Sequence, residues 1–149
     1  MHVFQNILKP EYIRLDVPLM SKKRVFEQAG FLFEPVLGIA RRAIFDAFLA
    51  RERLGSTGLG SGIAIPHGRL VGLKETVGAF VRLQKPILFE SPDGMPVDLL
   101  FLLLVCADST AEHLQVLAAL ADVLSQENFR QQLRSAPTPE HVWQLFAKV

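Results

Sequence analysis

His67 stands in the segment Gly62-Ile-Ala-Ile-Pro-His-Gly68, where a short apolar extended run and a rigid proline deliver an imidazole to the run's end. Gly68 leaves one side of the ring uncrowded. Imidazole is a good phosphoryl acceptor, because its neutral form keeps one nitrogen free near physiological pH while the other donates to an orienting carbonyl. The plainer reading is a histidine that only satisfies a turn. His113 falls about four residues into a helix expected after Asp108. In that turn unpaired backbone N–H groups and the helix dipole favour anions, so His113 could face a phosphate on His67. Taken alone it reads as a surface or half-buried residue, since Leu114 and Leu117 define the apolar stripe.

Arg51 and Arg53 end the helix that leads into a glycine-rich segment. Positive charge suits the carboxyl-terminal dipole there, and either side chain could instead clamp a phosphate in bidentate fashion. Asp93-Gly94 and Pro96 make a turn into Asp98, a strand start whose carboxylate could also orient something near the histidines.

Other chemistries are less well served. Gly58-Leu-Gly-Ser-Gly62 follows a helix and precedes an extended run, the reverse of the strand-then-helix context of a dinucleotide loop. Ser56-Thr57 lacks the preceding lysine of a P-loop, and there is no G-x-S-x-G elbow. The histidines at 2, 67, 113 and 141 show no HExxH or Cys/His ligand spacing. His67, His113 and a carboxylate could still converge in space, so a zinc-dependent hydrolase stays open as an alternative.

The elements that must position these groups follow from periodicity. Tyr12 to Val17 alternates as a strand, and Ser21 caps a helix to about Phe33 that carries Val25, Phe26, Ala29, Leu32 and Phe33. After Pro35 a second helix carries Ile39, Ala43, Ile44, Ala47 and Phe48. Gly55-Ser-Thr-Gly-Leu-Gly-Ser-Gly62 favours left-handed backbone and is expected to be irregular. Thr76 to Leu83 and Val97 to Ala107 read as strands, the second apolar enough to be covered on both faces. Asp108 or Ser109 caps a helix with Leu114, Leu117, Ala118, Ala121 and Leu124 inward, and Thr138-Pro139 starts a last helix. The order predicts a single α/β domain over 1–149, a three-layer α/β/α sandwich with a central mixed sheet.

Composition bounds the rest. With 149 residues, half of them hydrophobic, the chain can bury a core. A net charge of +1 supplies no field for nucleic acid or an anionic membrane, and Lys22-Lys23-Arg24 and Arg41-Arg42 read as solvated helix faces. Cys106 is the sole cysteine, expected to be buried in a reducing compartment. The longest apolar run, Leu99 to Ala107, is far short of the roughly 20 residues of a membrane-spanning helix. No signal peptide is recognisable, which predicts a cytoplasmic protein.

Arg51-Glu-Arg-Leu-Gly-Ser-Thr-Gly-Leu-Gly-Ser-Gly-Ile-Ala-Ile-Pro-His67 closely resembles the active-site segment of IIA proteins of the fructose, mannitol and nitrogen-type phosphotransferase systems. The resemblance continues through Phe80-Val-Arg-Leu83, Ile87-Leu-Phe89, Asp93 to Leu104 and His113 to Leu120, and so covers nearly the whole chain. It implies that His67 is the phosphorylated histidine, His113 the second active-site histidine and Arg51 the phosphoryl-stabilising arginine. It also implies a IIA fold and a phosphoryl group that comes from phosphoenolpyruvate through enzyme I and an HPr-like, NPr-type carrier, with no cofactor. Cys106 departs from the pattern, since many relatives end that strand with a proline.

Within that family an unfused chain with Gly-Ser-Thr-Gly-Leu-Gly and Pro-Val-Asp-Leu-Leu-Phe looks most like the nitrogen-type branch. That branch is regulatory, with potassium transporters or sensor kinases as implied targets. The alternatives are a sugar-specific IIA that passes phosphate to a separate IIB, a binding module without turnover, and the metal-dependent hydrolase. The regulated partner and the oligomeric state, a weak homo-oligomer included, stay open at this level.

Overall fold

The computed structural model describes residues 3–108 and 110–149 and places a mixed six-stranded sheet between two helical layers. Strand β1 (Ile13–Val17) forms on the alternating run, and the long strands β5 (Val77–Ile87) and β6 (Val97–Cys106) form where apolar residues are densest. Three short strands lie between them in sequence: β2 (Gly58–Gly60), β3 (Ile63–Ala64) and β4 (His67–Leu70). Across the sheet the order is β1-β5-β6-β3-β2. Strand β4 also pairs with β6, in parallel, beyond the end of β3.

Strand β6 is the axis of the molecule, antiparallel to β5 and parallel to β3 and β4. Its alternate residues feed two cores. Leu99, Phe101, Leu103 and Val105 pack with α3 (Thr110–Leu124), α4 (Glu127–Ser135) and α5 (Pro139–Ala147). Leu100, Leu102 and Leu104 pack with α1 (Lys22–Leu37) and α2 (Arg41–Glu52). Strand residues point alternately to opposite faces, so an all-apolar strand demands a helical layer on each side. The three-layer α/β/α architecture expected from the sequence is the one found.

Helix ends follow the capping chemistry in part. Ser21 Oγ accepts from Arg24 N at 3.2 Å, and Thr138 Oγ1 accepts from His141 N at 3.1 Å just ahead of Pro139. Of the expected caps of α3, Ser109 lies outside the described residues, as does His2. Helix α2 has no capping side chain of its own. Its first N–H, on Arg41, donates instead to the Glu34 carboxylate of α1 at 2.8 Å.

Several expectations need correction. Pro35 does not end α1, which runs on to Leu37 and stops at Gly38, whose φ of +67° is left-handed. A proline forfeits one helical bond, but α1 is held by the burial of Val25, Phe26, Ala29 and Phe33. The glycine segment is not wholly irregular, because Gly58–Gly60 adds a short strand to the sheet edge. On α3 the buried stripe is His113, Val116, Leu120, Val123 and Leu124, while Leu114 is 65% exposed and Ala118 is exposed. On α2, Ala43 is exposed as well. Cys106 is half-buried, not buried. Helix α4 was not foreseen; it presents only Phe129 and Leu133 to the core.

Candidate functional site

The site is assembled where the end of α2, the start of β4 and the first turn of α3 meet. Gly60, Ser61 and Gly62 take successive positive φ values of 95°, 57° and 81°, which turn the chain from β2 into β3. Ser61 N donates to Asp93 Oδ2 at 2.9 Å, and Arg134 Nη2 donates to Ser61 O at 2.9 Å, so the turn is pinned from two sides. The bonds donated by Ser61 and Met95 hold the Asp93 carboxyl below the usual carboxylate range. From there β3 pairs with β6, and the Pro66 carbonyl accepts from Leu103 N at 2.9 Å. His67 follows as the first residue of β4, paired with Leu103.

Gly68 explains how α2 reaches the histidine. A Cβ at this position would stand 2.9 Å from the Ala47 carbonyl carbon and 2.9 Å from Ala47 Cβ. Only a glycine lets the helix backbone lie that close on β4, and this contact brings the last turn of α2 over His67.

The ring of His67 is fixed at both nitrogens. Nδ1 lies 3.0 Å from the Ile65 carbonyl oxygen, which can only accept, so Nδ1 carries the proton. The Nε2 lone pair then faces outward and accepts from Arg51 Nε at 3.2 Å. Arg51 Nη1 in turn donates to Gly55 O at 2.8 Å, which anchors the guanidinium to the first glycine of the loop.

The loop itself is held by Glu52, a residue with no assigned part in the sequence reading. Its buried carboxylate accepts from Thr57 N at 3.1 Å, Thr57 Oγ1 at 2.6 Å and Lys22 Nζ at 3.0 Å. Lys22 also pairs with Glu90 at 2.8 Å, and its ammonium stays charged to higher pH than usual because these two hydrogen-bonded carboxylates outweigh its burial. Its neighbour Arg51, the Thr57 side chain and the start of α1 thus form one continuous scaffold.

His113 closes the site from α3. Its ring centroid lies 5.1 Å from that of His67 at 62°, a T-shaped approach. It is 7% exposed, and neither ring nitrogen has a hydrogen-bond partner among the described residues. Burial pushes both imidazoles below the ordinary histidine value. For His67 the bond to Ile65 opposes this, while Arg51 and Arg69 reinforce it. For His113 the neighbouring His67, Arg69 and Arg51 add to it. Burial thus favours the neutral form of both rings, with the nucleophilic Nε2 of His67 under Arg51 and an unused donor on His113.

Arg51, His67, Arg69 and His113, with Ala47, Ala50, Leu54 and Gly68, line a depression of about 460 Å³. Arg51, His67 and His113, three of the residues singled out in the sequence, thus share one site. Arg53 is exposed and does not line it. Asp98 is not beside the histidines: Arg134 takes both of its carboxylate oxygens, at 3.0 Å and 2.9 Å, at the opposite end of β6. His141 sits on the first turn of α5 and is exposed. Arg69 is the lining residue that motif spacing missed; the strand alternation from His67 could have flagged it. Among the described residues no group of three or more His, Cys, Asp or Glu side chains converges as a metal-ligand set. No described helix is long and apolar enough to cross a membrane.

The comparisons with known proteins agree with this fold. Residues 6–149 match the family described as phosphoenolpyruvate-dependent sugar phosphotransferase system, EIIA 2. The chain is 44% identical over 146 residues to a nitrogen regulatory protein of Pseudomonas aeruginosa, covering 97% of this chain and 95% of that one. The crystal structure of the nitrogen regulatory protein IIA-Ntr from Neisseria meningitidis superposes with a TM-score of 0.93 at 45% identity, over 97% of this chain and 99% of the other. The crystal structure of IIA mannitol from Escherichia coli matches with a TM-score of 0.76 at 26% identity, over 94% and 99% of the two chains.

Proposed function

From the premise that this chain belongs to the phosphoenolpyruvate-dependent sugar phosphotransferase system EIIA 2 family, we propose that it is a phosphoryl carrier whose acceptor is Nε2 of His67. The observation that carries this reading is the pairing of Nδ1 with the Ile65 carbonyl, which leaves Nε2 as the nucleophile beneath Arg51.

The reaction follows from that geometry. The Nε2 lone pair attacks phosphorus of a phosphohistidine on an HPr-like carrier, itself charged by enzyme I from phosphoenolpyruvate. The donor's N–P bond breaks and its electron pair returns to the donor ring, so the proton stays on Nδ1 of His67, bonded to the Ile65 carbonyl, and no proton changes hands. Such a transfer needs in-line positioning and neutralisation of the equatorial oxygens more than covalent help. Arg51 leaves the lone pair for those oxygens, and His113 turns its idle N–H to them, gaining the partner it lacks. Leu54 and Leu114, 85% and 65% exposed beside the site, give the carrier an apolar rim to dock on.

Likeness to the nitrogen regulatory proteins favours a signalling role over delivery to a sugar transporter. Phosphorylation would place up to two negative charges on this rim, so a cytoplasmic target such as a potassium transporter or a sensor kinase would meet a different surface in each state. A sugar-specific IIA serving a separate IIB has less sequence support, and a zinc hydrolase lacks a third ligand among the described residues.

The test is labelling from phosphoenolpyruvate with enzyme I and the carrier. Wild type should take up an acid-labile, base-stable phosphoryl group, and His67→Ala should take up none. Undiminished labelling of that variant would overturn the assignment.

A further inference from the structure

Arg69 follows His67 by two residues on β4, so the two side chains leave the same face of the strand. It is exposed, it lines the depression with Arg51, His67 and His113, and its charge acts on both imidazoles. Arginines elsewhere are engaged: Arg24 with Glu27, Arg41 with Glu34, Arg42 with Asp46, Arg82 with Asp16 and Arg134 with Asp98. Arg14 and Arg130 donate to backbone carbonyls, and Arg51 to His67 and Gly55. Among the described residues only Arg53 and Arg69 have guanidinium groups with neither a hydrogen bond nor an ion pair, and of these only Arg69 lies in the depression. An unpaired guanidinium beside two neutral, partly buried histidines is matched to an anion that arrives later.

We propose that Arg69 is a further phosphoryl-binding residue, which hydrogen-bonds an oxygen of the phosphoryl group on His67 and so makes the modified protein a stored state. The inference rests on His67 being the acceptor. Arg51 and His113 supply donors from α2 and α3. Arg69 adds a donor from the same strand as the acceptor, at a fixed offset from it. A bound phosphoryl held by this third group transfers back to the donor, and to water, more slowly.

The experiment compares wild type, Arg69→Gln, Arg69→Lys and Arg53→Gln, each first labelled through enzyme I and the carrier and freed of them. Arg69→Gln should shorten the lifetime of the phosphohistidine and shift the exchange equilibrium toward the carrier, each by about ten-fold, the size of one charge-assisted hydrogen bond. Arg69→Lys should recover part of both, and Arg53→Gln, with the same loss of charge outside the depression, should match wild type. Amide spectra identical to wild type would establish that the variants are folded. Equal lifetime and equilibrium for Arg69→Gln and wild type would overturn the inference, as would an equal effect of Arg53→Gln, which would reduce it to net charge. Failure of the wild type itself to accept phosphate would instead overturn the carrier reading, and this inference with it.

Discussion

His113 carries two buried ring nitrogens with no partner among the described residues, an arrangement that costs about 1–3 kcal/mol relative to a satisfied or apolar side chain. On the carrier reading, a phosphoryl group on His67 would supply the partner these nitrogens lack. His113→Leu should therefore stabilise the protein by about 1 kcal/mol in urea titrations while slowing phosphoryl uptake. Unchanged stability would mean that the nitrogens have partners in solution. The pH dependence is a second residue-scale prediction. Both histidines titrate below the 6.5 of a solvated imidazole when folded, so the unfolded chain binds more protons in the window beneath that value. Their contribution to stability is complete above pH 6.5 and declines as pH falls through the folded values. NMR titration of the ring resonances should give midpoints below 6.5 for His67 and His113, and a midpoint above it for either would contradict this.

At the scale of elements, the site depends on how closely α2 lies on β4. Gly68→Ala would put a methyl group within 2.9 Å of the Ala47 backbone, too close for either element to stay where it is. The substitution should cost about 1–3 kcal/mol and, by lifting Arg51 away from His67, slow phosphoryl uptake even in the fraction that folds. Denaturant midpoints and labelling rates of the purified variant measure the two effects separately; a rate equal to wild type would show that α2 need not lie this close. The elements themselves were largely readable in advance. Strands β1, β5 and β6, both capped helix starts and the helical pair before the glycine segment all follow from periodicity and turn chemistry. What periodicity left unsettled was phase. On α3, Leu114 and Val116 are equally apolar, and only packing against Phe101, Leu103 and Val105 decides that the Val116 stripe, His113 included, turns inward. Helix α4 was missed because two core residues in nine make no visible period.

Over the whole molecule, Arg82 joins what the site does not touch. From β5 it grips Asp16 of β1 in bidentate fashion at 2.9 Å and 3.0 Å. It also donates to the carbonyls of Leu133, Arg134 and Ala136 at the end of α4. These bonds hold the Asp16 carboxyl below the usual range and tie the edge strand to the α3–α5 layer. Arg82→Met keeps the apolar stem but strands these acceptors, and should lower stability by about 2 kcal/mol in thermal or urea unfolding. Phosphoryl uptake by the folded variant should remain near wild type, because no part of this network lines the depression. A loss of uptake without a loss of stability would point to long-range coupling between the two regions.

The sequence by itself determined the chemistry on offer: a histidine between proline and glycine, a glycine loop before it, an arginine at the helix end and an all-apolar central strand that requires helices on both sides. Those features are local, fixed by bonds and backbone angles within a few residues. Only the tertiary structure decided which side chains meet. It chose Arg51 over Arg53 for the imidazole, gave Asp98 to Arg134, revealed Arg69 and Glu52, and turned His113 inward. The reason is rotational: each residue turns a helix by about 100°, so a side chain's direction is set by whatever packs against that helix, and its neighbours come from distant segments of the chain.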